Sequence, residues 1–324
     1  MTVSTNAVQI RLPRAARAFV LGPISMSVRS LIESADLQIV EFKYSRIQDV
    51  LSACRTCQIL IINQHTIDTQ CSALTSLPHW VAIANLKNNE CDFHTAGPVF
   101  RPESLASSFM ARSVAELVIG QIFNLARQLP NRPGFEIRNK TLGIIGYGSV
   151  GVQVSYMAEA LGMRVMFYDT DYVMHYGRAK SVASLSELLG QSDIITLHVP
   201  THTSTILNEK HLLHMMRKGS YIIDASHSRA LDRQALELAL NQQHLHGAAL
   251  DRPLAELEGS SKVQNLLLTY DLRYSTQEVQ DAMAISSLTQ LLDYLKQVAH
   301  TMSTPISTDD LAMDSPATKM ALAK

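Results

Sequence analysis

The chain is poor in cysteine and in any excess of charge, and each shortage removes a class of protein. Four cysteines in 324 residues cannot build a disulfide framework. Cys54 and Cys57 form a C-x-x-C at the end of a helix-like stretch, just before the apolar run Ile59 to Ile62. A redox pair sits the other way round, at the start of a helix, where the dipole lowers the thiol pKa. Cys71 and Cys91 supply no second C-x-x-C, so zinc would lack ligands of suitable spacing, and buried or half-buried thiols are expected. The 28 basic and 29 acidic residues nearly cancel, and no basic cluster interleaves with aromatics, so nucleic acid is not an expected partner. No apolar run approaches the roughly 20 residues of a membrane-spanning helix. Internal repeats and low-complexity tracts are missing too. Acids are absent from residues 1–32, which carry Arg11, Arg14, Arg17 and Arg29 in the manner of a targeting segment. Ala18 to Gly22 already reads as a strand, so any leader would be short, and a cytoplasmic protein is expected.

What is present is enough apolar residue, 46%, to fill two cores. Residues 18 to 109 alternate between strand and helix patterns: Ala18 to Leu21, a helix near Ser27 to Ala35, Gln38 to Phe42, a helix ending near Cys54, Ile59 to Ile62 and Trp80 to Ala84. A long apolar-rich helix follows from about Met110 to Ala126, with Pro130 and Pro133 marking its end. From Thr141 the alternation resumes, with strands at Leu142 to Ile145, Val165 to Tyr168, Ile194 to His198, Tyr221 to Asp224, Gly247 to Leu250 and Leu266 to Thr269. The expected fold is α/β, with two Rossmann-like, doubly wound parallel-sheet domains, the first flavodoxin-like and the second NAD-binding. The first would span residues 1–109 and be completed by 280–302, where an amphipathic helix near Val279 to Val298 could return to it. The second would span 110–279, and 303–324 would form a mobile tail.

Three glycines concentrate the functional signal. Gly146, Gly148 and Gly151 hold the G-x-G-x-x-G spacing, directly after the short apolar run Leu142 to Ile145 and at the opening of a helix-like run. The first glycine permits a tight turn, the second lets backbone approach a pyrophosphate, and the third lets helix and strand pack closely. The helix N-terminus adds N–H groups and partial positive charge. Asp169 ends the next strand, about 20 residues on, where a carboxylate can accept from both ribose hydroxyls and would repel a 2′-phosphate. NAD is therefore expected rather than NADP.

Several stretches, in order, resemble the D-2-hydroxyacid dehydrogenase family and most closely its phosphoglycerate dehydrogenase branch. They are Ala111-Arg-Ser-Val-Ala-Glu-Leu-Val-Ile-Gly120, Leu142-Gly-Ile-Ile-Gly-Tyr-Gly148, Ala158-Glu-Ala-Leu-Gly-Met163, Ser192-Asp-Ile-Ile-Thr-Leu-His-Val-Pro200, Gly247-Ala-Ala-Leu-Asp251 and Ser275-Thr-Gln-Glu278. The resemblance implies two lobes with a cleft between them, NAD in the second lobe and a homodimer formed through it. It implies that Gly146, Tyr147, Gly148, Ser149, Val150 and Gly151 hold the pyrophosphate and that Asp169 holds the adenosine ribose. His198, Val199 and Pro200 would wall the adenine, Ala225 and Ser226 would line the cofactor site, and Asp251 would lie near the nicotinamide carboxamide.

The catalytic positions depart from the pattern. Family members use an Arg to bind the substrate carboxylate, a His as acid–base and a Glu to orient that His. Within Asp224-Ala-Ser-His-Ser-Arg229, His227 stands in the Arg place; within Leu268-Thr-Tyr-Asp-Leu-Arg-Tyr-Ser275, Asp271 stands in the His place. Glu256 keeps its spacing, five residues after Asp251, although the Pro expected next is Leu257. The substrate loop, glycine-rich in the family, is Asn85-Leu-Lys-Asn-Asn-Glu-Cys91, and the basic residues of the phosphoglycerate branch are replaced at Asn63-Gln-His65. Between Arg127 and Phe135 the arm that reaches across the dimer is shortened.

Three readings follow. The first is a pseudoenzyme that binds NAD(H) for sensing or assembly, with a protein partner. The second is an oxidoreductase with rebuilt catalysis on a small-molecule acid, in which His227 works with Asp271 or Glu256 and Arg229 or Arg273 supplies the cation. The third is a scaffold that no longer uses its cofactor loop. His211 and His214, three residues apart beside Lys210, are expected to form a solvated helix face rather than a metal site. Met157, Met163 and Met166 are expected to fill core, and Arg112 with Glu116 to form a helical pair.

Overall fold

The computed structural model describes residues 16–41, 55–63, 80–86, 97–102, 108–127, 133–171, 177–200, 202–226, 228–251, 265–270 and 272–303. The chain divides into two compact units, Met1–Glu103 with Met283–Lys324, and Ser104–Ala282.

In the first unit the described strands β1 (Arg17–Leu21), β2 (Gln38–Glu41), β3 (Ile59–Ile62), β4 (Ala82–Asn85) and β5 (Val99–Phe100) form a parallel sheet of order β2-β1-β3-β4-β5. That is the flavodoxin-like order. Helix α1 (Met26–Ser34) starts where the Ser25 side chain accepts a hydrogen bond from Val28 N, and it buries Val28 and Ile32. β3 is wholly apolar and wholly buried, as a central parallel strand requires. Ala284, Leu288, Leu291, Leu292 and Leu295 of the C-terminal helix join this core, and the Ser287 hydroxyl donates to Asn85 O at 2.9 Å. Sequence pattern missed β5, whose two residues are too few to show a period.

Cys57 is a buried thiol whose pKa is raised by desolvation, so it is no activated nucleophile. Cys54 lies outside the described residues.

The second unit begins with α2 (Ser108–Arg127) and continues through β6 (Thr141–Ile145), α3 (Ser149–Ala160), β7 (Arg164–Tyr168), β8 (Lys180–Ser181), α4 (Leu185–Gln191) and β9 (Ile194–Leu197). A π-helical turn (His211–Met215), β10 (Tyr221–Asp224), α5 (Arg233–Asn241), β11 (Gly247–Asp251) and β12 (Leu266–Thr269) follow, and α6 (Gln277–Ser303) starts in this unit and ends in the other. The sheet is all parallel, of order β12-β11-β10-β9-β6-β7-β8. Strand order therefore reverses between β6 and β9, which creates the crevice at their carboxyl ends where such sheets bind ligands.

Successive strand residues point to opposite faces, and both faces are filled. Ile144, Ile194, Ile223 and Ala249 pack into one cluster with residues of α2 and α3. Ile145, Ile195, Ile222 and Ala248 pack into the other with residues of α4, the π turn and α5. Met163 is buried in the first cluster, Met157 packs on it and Met166 packs on the second, as expected of core filler. Ser184 caps α4 by accepting from Glu187 N at 3.2 Å, and Asp232 caps α5 by accepting from Ala235 N at 3.1 Å.

Arg112 Nε donates to Glu116 Oε1 at 2.6 Å along α2, the simple helical pair. His211 Nδ1 lies 2.7 Å from Asn208 Oδ1, and no group of three candidate metal ligands occurs among the described residues. No helix among them is long and apolar enough to cross a membrane.

Candidate functional site

The site grows from the end of β6. Gly146 turns the chain with φ +88°, and its N–H donates to Tyr168 O at 3.0 Å, while His198 N donates to Ile145 O at 2.8 Å. The loop is thus tied to the strands on both sides. A Cβ on Gly146 would lie 2.5 Å from His198 O, and one on Gly151 would lie 2.4 Å from Gly146 O. Both glycines are forced by backbone. Gly148 differs: a Cβ there would meet nothing within 4 Å, and the residue caps α3 with no side-chain hydrogen bond. Open space in front of a helix N-terminus is what a pyrophosphate requires.

Asp169 follows β7. Its Oδ2 accepts from Tyr147 N at 2.7 Å and its Oδ1 from Asp171 N at 3.0 Å. A carboxylate has about four lone-pair directions, so two remain for a diol. The Tyr147 side chain turns the other way. It is 1% exposed, stacks on Phe167 with centroids 3.8 Å apart and shares a 3.0 Å hydrogen bond with Ser155. Tyr147 thus reaches the site only through its backbone, and Gly151, buried in α3, shapes the loop from behind.

Ser149, Val150, Asp169, His198, Val199 and Pro200 line a pocket of about 860 Å³ that continues to Ala225, Ser226 and Arg273. Its wall also takes Met110 and Val114, spaced i, i+4 on α2, and His202, Thr203 and Ile206 after β9. Those five escaped sequence reading; only the spacing of Met110 and Val114 hinted that they share a helix face. Beyond β10 the turn is pinned, with Ser226 N and Oγ donating to buried Asp224 Oδ1 at 2.9 and 2.6 Å, and Ser226 and Ser228 hydroxyls 2.7 Å apart.

Asp251 does not line the pocket. It is fully buried and accepts from Thr269 Oγ1 at 2.7 Å, Leu272 N at 3.0 Å and Arg273 N at 3.4 Å. The catalytic positions His227, Glu256 and Asp271 lie outside the described residues, as do most of the substrate loop after Leu86, Gln64 with His65, and residues 128–132. Of the two candidate cations, Arg229 is exposed and not part of the pocket wall, whereas Arg273 is part of it.

The imidazole of His198 lies 3.0 Å from the buried Thr196 hydroxyl, and desolvation pushes its pKa down to about 3. Its ordinary value is near 6.5, so the unfolded chain binds a proton that the fold refuses. Its contribution to stability is complete above about pH 6.5 and lost as pH falls towards 3, at about 1–2 kcal/mol between pH 6.5 and 5. Urea unfolding at the two pH values should show that loss, reduced in His198→Gln; an equal loss in the variant would place the proton uptake elsewhere.

Residues 111–270 match the model of the D-isomer-specific 2-hydroxyacid dehydrogenase NAD-binding domain. The second unit belongs to that family. D-3-phosphoglycerate dehydrogenase 2 of Saccharomyces cerevisiae is 38% identical over 219 residues, covering 58% of this chain and 46% of the relative. D-3-phosphoglycerate dehydrogenase of Escherichia coli K12 is 36% identical over 236 residues, 64% of this chain and 56% of the relative. The chain thus spans about half the length of the curated relatives it matches. Among solved structures, a D-lactate dehydrogenase from Sporolactobacillus matches with a TM-score of 0.68 at 21% identity, over 86% of this chain and 96% of that one. An NAD+-bound 3-phosphoglycerate dehydrogenase of Entamoeba histolytica matches with 0.62 at 20%, over 87% and 96%. Those two likenesses are of fold.

The cofactor of this dehydrogenase domain is NAD. The residues present fit it: two glycines that no side chain can replace, an open N-terminus at Gly148 and a backbone-held carboxylate at Asp169. NAD bound there would offer a nicotinamide that accepts or gives a hydride. The protein would supply the anion site at α3, the ribose acceptor at Asp169 and an uncharged imidazole at His198.

Proposed function

We propose that the chain binds NAD(H) without the family's usual oxidation of a 2-hydroxy acid, and that dinucleotide occupancy is what it reports, in a cytoplasmic homodimer or to a protein partner. The observation that carries this reading is the contrast between a complete cofactor pocket and the residues at the catalytic positions. Every loop feature that a dinucleotide needs is in place. The family's Arg and His are replaced by His227 and Asp271, and a carboxylate cannot hold a 2-oxo acid.

Titrating the protein with NADH and following absorbance at the nicotinamide band, with a panel of 2-oxo acids present, tests it. Saturable binding with no NADH consumption is the expected result. Steady turnover that pocket substitutions abolish would overturn it.

One observation favours a second reading, rebuilt catalysis on a small-molecule acid. Arg273 belongs to the pocket wall, so a guanidinium lines the site although position 227 lacks one. His227 with Asp271 or Glu256 would then move the proton. His227→Ala would abolish turnover while sparing NADH affinity.

A further inference from the structure

We propose that the amino-terminal ends of the strands in the second unit carry a docking surface for an extended acidic segment of a partner protein. The inference goes beyond the NAD(H)-binding reading, which concerns the carboxyl ends of the same strands, about 15 Å away.

Cations collect where these strands begin. Arg138 and Lys140 precede β6, Arg164 opens β7, Arg178 precedes β8, Lys180 opens it, and Lys218 precedes β10. Backbone pairing sets them side by side. Thr141 is level with Arg164 in the parallel register, Arg164 N donates to Lys140 O at 2.9 Å, and Met166 is level with Lys180. The strand order β10-β9-β6-β7-β8 stretches the row across four strand spacings, about 19 Å. Its residues are exposed except Lys140, which is half-buried. Among the described residues none of the row forms an ion pair.

Nearby acids do not cancel this charge. Glu159 accepts from Arg178 N at 3.0 and 3.1 Å, Asp193 accepts from Thr141 N at 2.8 Å and pairs with Arg217 at 2.9 Å, and Glu136 is exposed. Seven cations, Arg217 included, thus meet three acids. The carboxyl ends of α3 and α5 lie on the same side and offset about half a charge each. The stretches of this unit outside the described residues add no excess of acid: 104–107, 128–132 and 172–176 contain none, and Glu256 and Glu258 within 252–264 are matched by Arg252 and Lys262. Asp271 directly follows Tyr270, beyond the carboxyl end of β12. The whole chain has a net charge of −1, so the row is a local concentration rather than a general basicity. Cations one strand spacing apart lie within a Debye length and repel, so the row works against the fold, and an anionic partner would relieve it.

The surroundings select the class of partner. Nucleic acid bases need open aromatic faces, but Phe135 stacks on Tyr221 at 4.9 Å, Lys140 Nζ stands 5.9 Å over the Phe135 ring, and His246 packs edge-on against Tyr221. A bilayer needs apolar side chains that insert, whereas the turns between the cations carry Asn139, Gly162, Gly177 and Gly219. A single file of charges fits an extended peptide of about six residues, whose alternate side chains fall on one side about 7 Å apart. Acids at every second position would face the row.

The test is the anisotropy of a labelled peptide of Glu-Ser repeats titrated with the full chain at low salt, beside a labelled oligouridylate and sedimentation with phosphatidylserine vesicles. The native protein should bind the peptide saturably, and a variant with Arg138→Gln, Arg164→Gln and Lys180→Gln should bind it about tenfold more weakly or worse. A second variant, with Lys210→Gln, Arg233→Gln and Lys296→Gln, loses the same charge elsewhere and should keep the native affinity within about twofold. Both variants should bind NADH like the native protein, which reports an intact fold. Equal weakening in the two variants, or no peptide binding by the native chain, overturns the inference. Tighter binding of oligouridylate or vesicles, lost in the first variant, also overturns it and assigns the surface to nucleic acid or membrane. A native chain that binds peptide but no NADH would sink the NAD(H) reading and leave this one standing.

Discussion

Gly148→Val is expected to weaken NADH binding by at least about 100-fold while leaving the fold almost untouched, and Gly151→Val, three residues away, to do its damage through the fold. The distinction comes from what each side chain would meet. Gly148 has φ −76° and ψ −159°, extended backbone that any residue adopts, and a Cβ there has open space around it. Valine at an N-cap should cost the native state no more than about 1 kcal/mol. Its methyl groups would stand where a phosphate approaches the first turn of α3.

Gly151 lies inside α3, and its added Cβ would sit 2.4 Å from Gly146 O and 3.2 Å from Ile144 Cγ2. Neither the loop carbonyl nor a β6 side chain in the core can retreat cheaply. A substitution that gains helix propensity at this position should nevertheless cost about 3 kcal/mol or more from overpacking. Urea unfolding paired with NADH titration reads both effects. Equal loss of stability in the two variants would mean that Gly148 is enclosed, and undiminished NADH binding by Gly148→Val would mean that the loop is not the anion site.

The same loop shows why some of the molecule was legible in its sequence. Central parallel strands are buried on both faces, so Ile59 to Ile62, Leu142 to Ile145 and Ile194 to Leu197 stand out as short apolar runs. Glycine spacing and Asp169 read directly because backbone approach and a ribose diol impose residue types. The edge strands Val99–Phe100 and Lys180–Ser181 did not read, since two residues set no period and their pairing is decided by the neighbouring strand. Tyr147 shows another limit. It stands inside the loop motif, yet its ring belongs to the core against Phe167, and only its N–H serves Asp169. Motif membership fixes where the backbone goes, not where the side chain points. Arg273 is the converse case: no motif marks it, and only the register of β11 and β12 and the turn held by Asp251 bring it to the pocket.

That turn gives the other large expected effect. Asp251→Ala should cost about 3 kcal/mol and loosen the 3-10 turn (Leu272–Tyr274) that places Arg273 in the pocket wall. Asp251 is fully buried at the end of β11, opposite Thr269 of β12 in the parallel register. Its carboxylate receives the Thr269 hydroxyl, Leu272 N and Arg273 N, and Gln121 Nε2 donates in turn to Thr269 Oγ1 at 3.2 Å. Alanine would take the acceptor from three donors at once, and buried donors left unmatched cost more than a hydrogen bond gains. The 3-10 turn would then lose the contacts that aim Arg273. Asp251→Asn separates the two roles of the residue. Its carbonyl oxygen can still accept from Thr269 and Leu272, so most stability should return, and only the charge and the long contact to Arg273 N are lost. Unfolding free energies should therefore rank native, then Asn, then Ala. If Asp251→Ala is as stable as the native chain, the network beneath the pocket is not what holds the turn.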